Sequence, residues 1–202
     1  EKYYTHTMHS NNTNRHNTAV KRPEYAVAYI ASNCVPWRTA FVQELMKYVP
    51  VHSFGKCLHN ADANKLFPDC NNPVSTLNQS RCIYSHFMFT LALENTLEDD
   101  YITEKLILPW EAGSVPIYLG APNILDYQLG PNSFVDVKKV HQSPKELGQY
   151  LQHVIAHADD EYGQFFQWYN KPLPPAVEDE VFHGYPFVIC NLCHFLKHTL
   201  HI

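Results

Sequence analysis

Seven polar residues in this chain have the types and spacing to grip an anionic ligand: Asn33, Arg38, Glu94, Asn95, Tyr101, Glu104 and Lys105. A guanidinium and an ammonium meet phosphate oxygens, while asparagine and tyrosine can donate or accept beside them. Glu104 does not belong against phosphate, because two anions in one pocket repel, so its better role is to accept hydroxyls of a sugar or ribose. The set implies a phosphorylated ligand that also carries hydroxyl groups.

Placing these groups together requires particular elements. Phe89 to Leu93 is an apolar run suited to a buried strand, Glu94 to Asp100 is too polar to bury, and Tyr101 to Glu111 reads as a helix ending near Gly113. Ser114 to Leu119 returns as a strand, which completes a βαβ unit. Ligands of such units sit beyond the carboxyl ends of the strands, where Glu94, Asn95 and the helix start would lie. On the expected helix, Tyr101, Glu104 and Lys105 are spaced to share one face. Taken alone, Glu104 beside Lys105 also fits a solvated helix face, and Tyr101 a packing role.

The first unit is similar. Tyr25 to Ala31 reads as a strand, Arg38 to Tyr48 as a helix with Phe41, Leu45 and Tyr48 on one side, and Val51 to Phe54 as a second strand. Arg38 would open that helix, so its guanidinium and the local amides could address the same phosphate. Residues 60–80 are rich in Asn, Asp and Pro and read as a surface excursion. Ser143, Pro144 and Glu146 signal a helix start, backed by Leu147, Leu151, Val154 and Ile155. The alternation predicts an α/β fold: a polar linker over residues 1–24, then one Rossmann-like domain over residues 25–202 with a C-terminal helical tail.

Composition narrows the function classes. With 202 residues and 45% hydrophobic content, the chain can bury a core. Its net charge of −5, with basic residues scattered, offers no stripe for nucleic acid and no polybasic patch for lipid. No run of apolar residues reaches membrane-spanning length, and the start lacks an apolar signal core.

The motif residues resemble the donor signature of the α1,3/α1,4-fucosyltransferases, inverting enzymes that use GDP-fucose. Phe89, Glu94-Asn95, the run Asp100-Tyr101-Ile102-Thr103-Glu104-Lys105 and Ala112-Gly113-Ser114-Val115-Pro116 carry the likeness. It extends to Ser32-Asn33-Cys34, Arg38, Gly120-Ala121-Pro122-Asn123 and the Cys190/Cys193 pair, covering residues 25–197. The triplet, the two proline-containing runs and the late cysteine pair look most like plant and invertebrate enzymes that fucosylate the N-glycan core.

The resemblance implies the donor domain of a two-Rossmann (GT-B) glycosyltransferase, with Arg38 and Lys105 on the donor diphosphate and Glu104 on hydroxyls. It also implies a Golgi lumenal enzyme, anchored in the full-length form by an N-terminal membrane helix that this chain lacks, with a glycoprotein or oligosaccharide acceptor. Glu98, Asp99 and Asp100 could be taken for the Asp-x-Asp metal site of other glycosyltransferases, but they read better as a loop and helix cap. Donor binding is therefore expected to need no metal and no further cofactor. The family's general base lies in an amino-terminal acceptor domain, so none is assigned. Two other readings stay open: a Lewis-type enzyme acting on N-acetyllactosamine, and a silent sugar-nucleotide binding module.

Six cysteines allow 15 complete pairings, which spacing does not decide. In the lumenal compartment that the resemblance implies, Cys190 and Cys193 would form a disulfide pinning the tail, with zinc held by them and His194 or His198 as the rival. Asn11 and Asn78 head sequons in segments read as loops, and both are expected to carry N-glycans.

Overall fold

The computed structural model describes residues 23–71, 75–140, 143–168 and Lys171. Five parallel strands form one sheet: β1 (Val27–Tyr29), β2 (Val51–Ser53), β3 (Phe89–Leu93), β4 (Val115–Leu119) and β5 (Val135–Asp136). Their spatial order is β2-β1-β3-β4-β5. The chain leaves β1 toward β2 on one side and later returns to pair β3 on the other, with Val27 registered against both Val51 and Phe89. That reversal opens a crevice between the carboxyl ends of β1 and β3, the place where open α/β sheets take ligands.

Four helices cover the two faces: α1 (Pro36–Leu45), α2 (Thr76–Ser85), α3 (Glu104–Ala112) and α4 (Pro144–Ala156). Alternation along the strands sorts the side chains between faces. Val27, Tyr29, Phe89, Leu91 and Leu93 pack with Val42 and Leu45 of α1 and with Leu147, Leu151 and Val154 of α4. Ala28 points the other way, toward Ile83 and Tyr84 of α2 and Leu108 of α3. Both faces of β3 are covered and all five of its residues are buried, as its uninterrupted apolar sequence requires. Thr90, polar on that strand, is satisfied by the Ser114 hydroxyl at 2.8 Å.

Local signals explain the helix ends. Ser143 caps α4 by accepting the Glu146 N–H, with Pro144 in the first turn as expected. Pro36 likewise starts α1 two residues before the expected Arg38. Gly113, at φ 67°, closes α3 in the left-handed conformation that favours glycine.

Three expectations need correction. Helix α3 begins at Glu104, so Tyr101 precedes it and does not share a helical face with Glu104 and Lys105. Residues 60–80 are largely at the surface as expected but are not all loop: they hold the short helix Ala63–Leu66, the 3-10 turn Pro68–Cys70 and the start of α2. Asn78 therefore lies exposed in the first turn of α2, with its side-chain oxygen accepting from Arg81 at 2.9 Å. The disulfides found are Cys34–Cys57 and Cys70–Cys82. Asn11, the Cys190/Cys193 pair, residues 1–22 of the linker and residues 172–202 lie outside the described residues, while Pro23 and Glu24, placed in the linker, open the 3-10 turn Pro23–Tyr25. Among the described residues, no helix is long and apolar enough to cross a membrane.

The loops after β1 and β2 are pressed together beside the crevice. Cys34–Cys57 joins them, Cys57 donates its N–H to the Ala31 carbonyl at 2.9 Å, and a Cβ on Gly55 would fall 2.4 Å from Ala31 backbone atoms. Gly55→Ala should therefore cost about 1–3 kcal/mol in a urea melt, by overpacking against backbone that cannot yield. Gly163→Ala, where no atom lies within 4 Å, should stay within about 0.5 kcal/mol of wild type. Equal effects would contradict this packing.

Candidate functional site

Arg38 occupies the third position of α1 and is buried, with 1% of its surface exposed. Its Nη1 donates to the Leu93 carbonyl and to Asn95 Oδ1, both at 2.8 Å, and its Nη2 donates to the Asn33 carbonyl. The side chain thus spans the crevice, joining the loop after β1 to the end of β3. Its Nε meets no hydrogen-bond partner, and neither does the buried Tyr29 hydroxyl at the end of β1. Burial raises the Tyr29 pKa, while Arg38 and, more weakly, Lys105 pull it down. Arg38 is bonded to Leu93 and Asn95, and Lys105 to the intervening Glu94, so both cations lie at the carboxyl end of β3.

Across the crevice, Glu94 follows β3 directly and has no exposed surface. Its Oε1 accepts the Thr103 N–H at 2.9 Å, and the Thr103 hydroxyl lies 2.9 and 2.8 Å from its two oxygens. Thr103 is the N-cap of α3, so Glu94 holds the helix start. Lys105 Nζ lies 3.2 Å from Glu94 Oε2, 3.2 Å from Glu104 Oε1 and 2.9 Å from Thr103 Oγ1. Its side chain retains 18% exposure, against none for Glu94. A cation is thereby held at a helix amino terminus, on a frame built from below by a carboxylate.

A second clasp shapes the loop between Asn95 and Thr103. Asp100 adopts φ 61° and takes its N–H to Asn123 Oδ1 at 3.0 Å, while its carboxylate accepts from Asn123 at 2.7 Å and Tyr127 at 2.6 Å. The Tyr127 and Asn123 bonds hold the Asp100 carboxyl below the usual range. Asp100 is therefore not the expected helix cap, a role that Thr103 takes. Gly120 completes this region: a Cβ there would lie 2.3 Å from the Tyr118 hydroxyl and 2.6 Å from Glu94 Cγ. Among the described residues, a group of three metal-capable side chains gathers only at Cys70, Cys82 and His86, where the two sulfurs are already bonded to each other.

The structure brings Arg38, Glu94, Asn95, Glu104 and Lys105 to one crevice, with Asn33 contributing its carbonyl while its side chain is exposed. Tyr101 is half-buried in the loop, its carbonyl facing the Tyr118 hydroxyl at a long 3.5 Å. Thr103, Tyr29, Asn123 and Gly120 were not singled out individually from sequence. Thr103 carried a readable signal, since a threonine immediately before Glu-Lys and an apolar run is an N-cap pattern. The reciprocal Asp100–Asn123 pair, far apart in sequence, carried none.

The family described as glycosyltransferase family 10 (fucosyltransferase), C-terminal part, matches residues 20–201. An α-(1,4)-fucosyltransferase of Arabidopsis thaliana is 35% identical over 82% of this chain and 42% of its own length. GDP-fucose protein O-fucosyltransferase 3 of Xenopus laevis is 42% identical over 76% of this chain and 34% of its own. A crystal structure of an α1,3-fucosyltransferase with GDP-fucose superposes with a TM-score of 0.58 at 26% identity, covering 76% of this chain and 41% of that one. The chain thus spans less than half the length of these relatives.

Burial raises the Glu94 pKa, with Lys105 and then the Thr103 bonds opposing it. Between the unfolded-chain value of about 4.3 and the raised folded value, the native state keeps a proton that the unfolded chain has lost, so stability falls as pH rises through that window. Glu94→Gln has no such proton. Thermal melts across this pH range should show wild type losing stability relative to Glu94→Gln as pH rises, then running parallel. A difference that runs the other way would contradict the burial of this carboxylate.

Proposed function

This chain belongs to glycosyltransferase family 10, the fucosyltransferases, and we propose that it forms the GDP-fucose-binding half of such an enzyme. The observation that carries the proposal is the anchoring of Arg38 and Lys105 to consecutive residues, Leu93 to Asn95, at the carboxyl end of β3 beside β1. A GDP-bound relative of the same fold, at TM-score 0.58, supports a nucleotide ligand. In fucosyl transfer, negative charge grows on the departing diphosphate as the sugar carbon–oxygen bond breaks. Cations already fixed in place stabilise that charge without reorganising, which is commonly the largest catalytic contribution. Lys105 and the amino end of α3 would supply one such group, and the positive charge of the Arg38 guanidinium, fixed at the end of β3, another.

Asn95 sits on the arginine and orients it, while Glu104, on the partly exposed side of Lys105, is placed to accept ribose or sugar hydroxyls. The two basic side chains take the charge-neutralising role of a divalent cation, so donor binding would proceed without one. The acceptor hydroxyl attacks from the face opposite the diphosphate, which requires a base from outside this crevice. For the acceptor we favour an N-acetylglucosamine hydroxyl of the N-glycan core in α1,3 linkage, on the strength of the Ser32-Asn33-Cys34 and Gly120-Ala121-Pro122-Asn123 motifs. The 42% identity to a protein O-fucosyltransferase favours a second reading, a hydroxyl on the polypeptide itself. A lumenal Golgi location is supported by the two disulfides, which persist in oxidising compartments.

Calorimetric titration with GDP and GDP-fucose in EDTA tests the donor site. Arg38→Ala is a poor probe because it would strip the partner from buried carbonyls; Lys105→Gln and Arg38→Lys are better. Each should weaken both ligands by about 1.5–3 kcal/mol, roughly ten- to a hundredfold. Wild-type affinity in both variants, or binding only with added metal, would overturn the reading. Transfer assays with a core glycopeptide, N-acetyllactosamine and a folded secreted domain then separate the acceptors.

A further inference from the structure

We infer that Glu94 is a positioning residue, acting on the donor through Thr103 and Lys105 rather than touching it. The inference rests on the donor-site reading above. Every contact of its carboxylate turns inward: the Thr103 N–H at 2.9 Å, the Thr103 hydroxyl at 2.9 and 2.8 Å, and Lys105 Nζ at 3.2 Å. No surface of the residue is exposed, and the 2.6 Å approach that a Cβ at Gly120 would make to its Cγ shows β4's exit loop sealing it from above. The Glu94 N–H is also fixed, donating to the Leu119 carbonyl at 2.9 Å. A group sealed on these sides does not reach a sugar nucleotide lying over the strand ends.

Its partners do. Thr103 caps the helix that starts beside the end of β3, and Lys105 in its first turn keeps 18% of its side chain exposed. Lys105 is shared between Glu94 below and Glu104 beside it, so without Glu94 the ammonium follows Glu104 outward and the helix start loses its tether. The charged and titratable groups around the carboxylate are Lys105 and, through it, Glu104 from α3, together with the Tyr118 hydroxyl from β4. Glutamine at position 94 keeps an oxygen for the Thr103 N–H; alanine keeps nothing.

The test is a titration of GDP and GDP-fucose into wild type, Glu94→Ala, Glu94→Gln, Thr103→Ala and the Glu94→Ala/Thr103→Ala double variant, each checked for folding by thermal melt. Glu94→Ala and Thr103→Ala should each weaken both nucleotides by about tenfold, and the double variant no further, because they remove one shared network. Glu94→Gln should rescue binding to within about threefold of wild type. Loss confined to GDP-fucose, equal loss in Glu94→Gln and Glu94→Ala, or additive losses would overturn the inference. If folded wild type binds neither nucleotide, the donor-site reading itself falls. The brace is then judged by the Thr103 amide resonance, which must titrate with a carboxylate in wild type and not in Glu94→Gln; an amide indifferent to both pH and substitution overturns it.

Discussion

A guanidinium taken almost wholly out of water must be hydrogen-bonded or it unfolds what surrounds it, and Arg38 organises this molecule by that requirement. Its two Nη atoms find their acceptors at the Asn33 carbonyl after β1 and at Leu93 and Asn95 where β3 ends. Leu93 ends β3, whereas Asn33 lies in the loop after β1, where its carbonyl also accepts the Val35 N–H at 3.1 Å. One side chain therefore ties the β1 loop to the end of β3 and fixes the width of the crevice. The Cys34–Cys57 disulfide and the close seat of Gly55 hold the β1 loop against the same place, so the arginine's anchor points are themselves braced.

The opposite wall solves the converse problem. Glu94 is a carboxylate without exposed surface, and its burial is offset by the Thr103 amide and hydroxyl and by Lys105. Pairing in this setting yields little net stability, because desolvation consumes most of the attraction. What it gives is geometry. The carboxylate, the helix cap and the ammonium have one mutual arrangement, whereas an apolar replacement would leave α3 free to shift its start. The Asp100–Asn123–Tyr127 clasp does the same for the intervening loop, where the left-handed Asp100 turns the chain back toward α3.

Much of this was legible in the sequence because the local signals agreed. The apolar run Phe89–Leu93, the turn at Gly113 and the strand ending at Leu119 specify one βαβ unit, and Ser143-Pro144 starts α4 where expected. Placing Arg38 and Glu94 at strand exits put them at one crevice by topology alone. The start of α3 was misread because Asp100 offered a cap three residues too early, and only the tertiary pull of Asn123 and Tyr127 removes it from that role. The burial of Arg38 and Glu94 was equally hidden, since charged residues are seldom inside and their acceptors come from distant segments. Strand β5, two residues long, carries no periodic pattern at all. The disulfides followed three-dimensional proximity, which spacing does not encode.

On the proposed donor-site reading, a phosphorylated nucleotide is held between the carboxyl ends of β1 and β3 by groups fixed in advance. Amide hydrogen exchange of this chain with and without GDP tests it most directly, because it reports location without depending on any substitution. GDP should slow exchange over residues 31–38 and 93–105 and leave the opposite ends of the strands, around His86–Met88 and Gly113–Ser114, unchanged. Protection at those opposite ends, or saturating GDP that leaves both crevice segments unprotected, would contradict it.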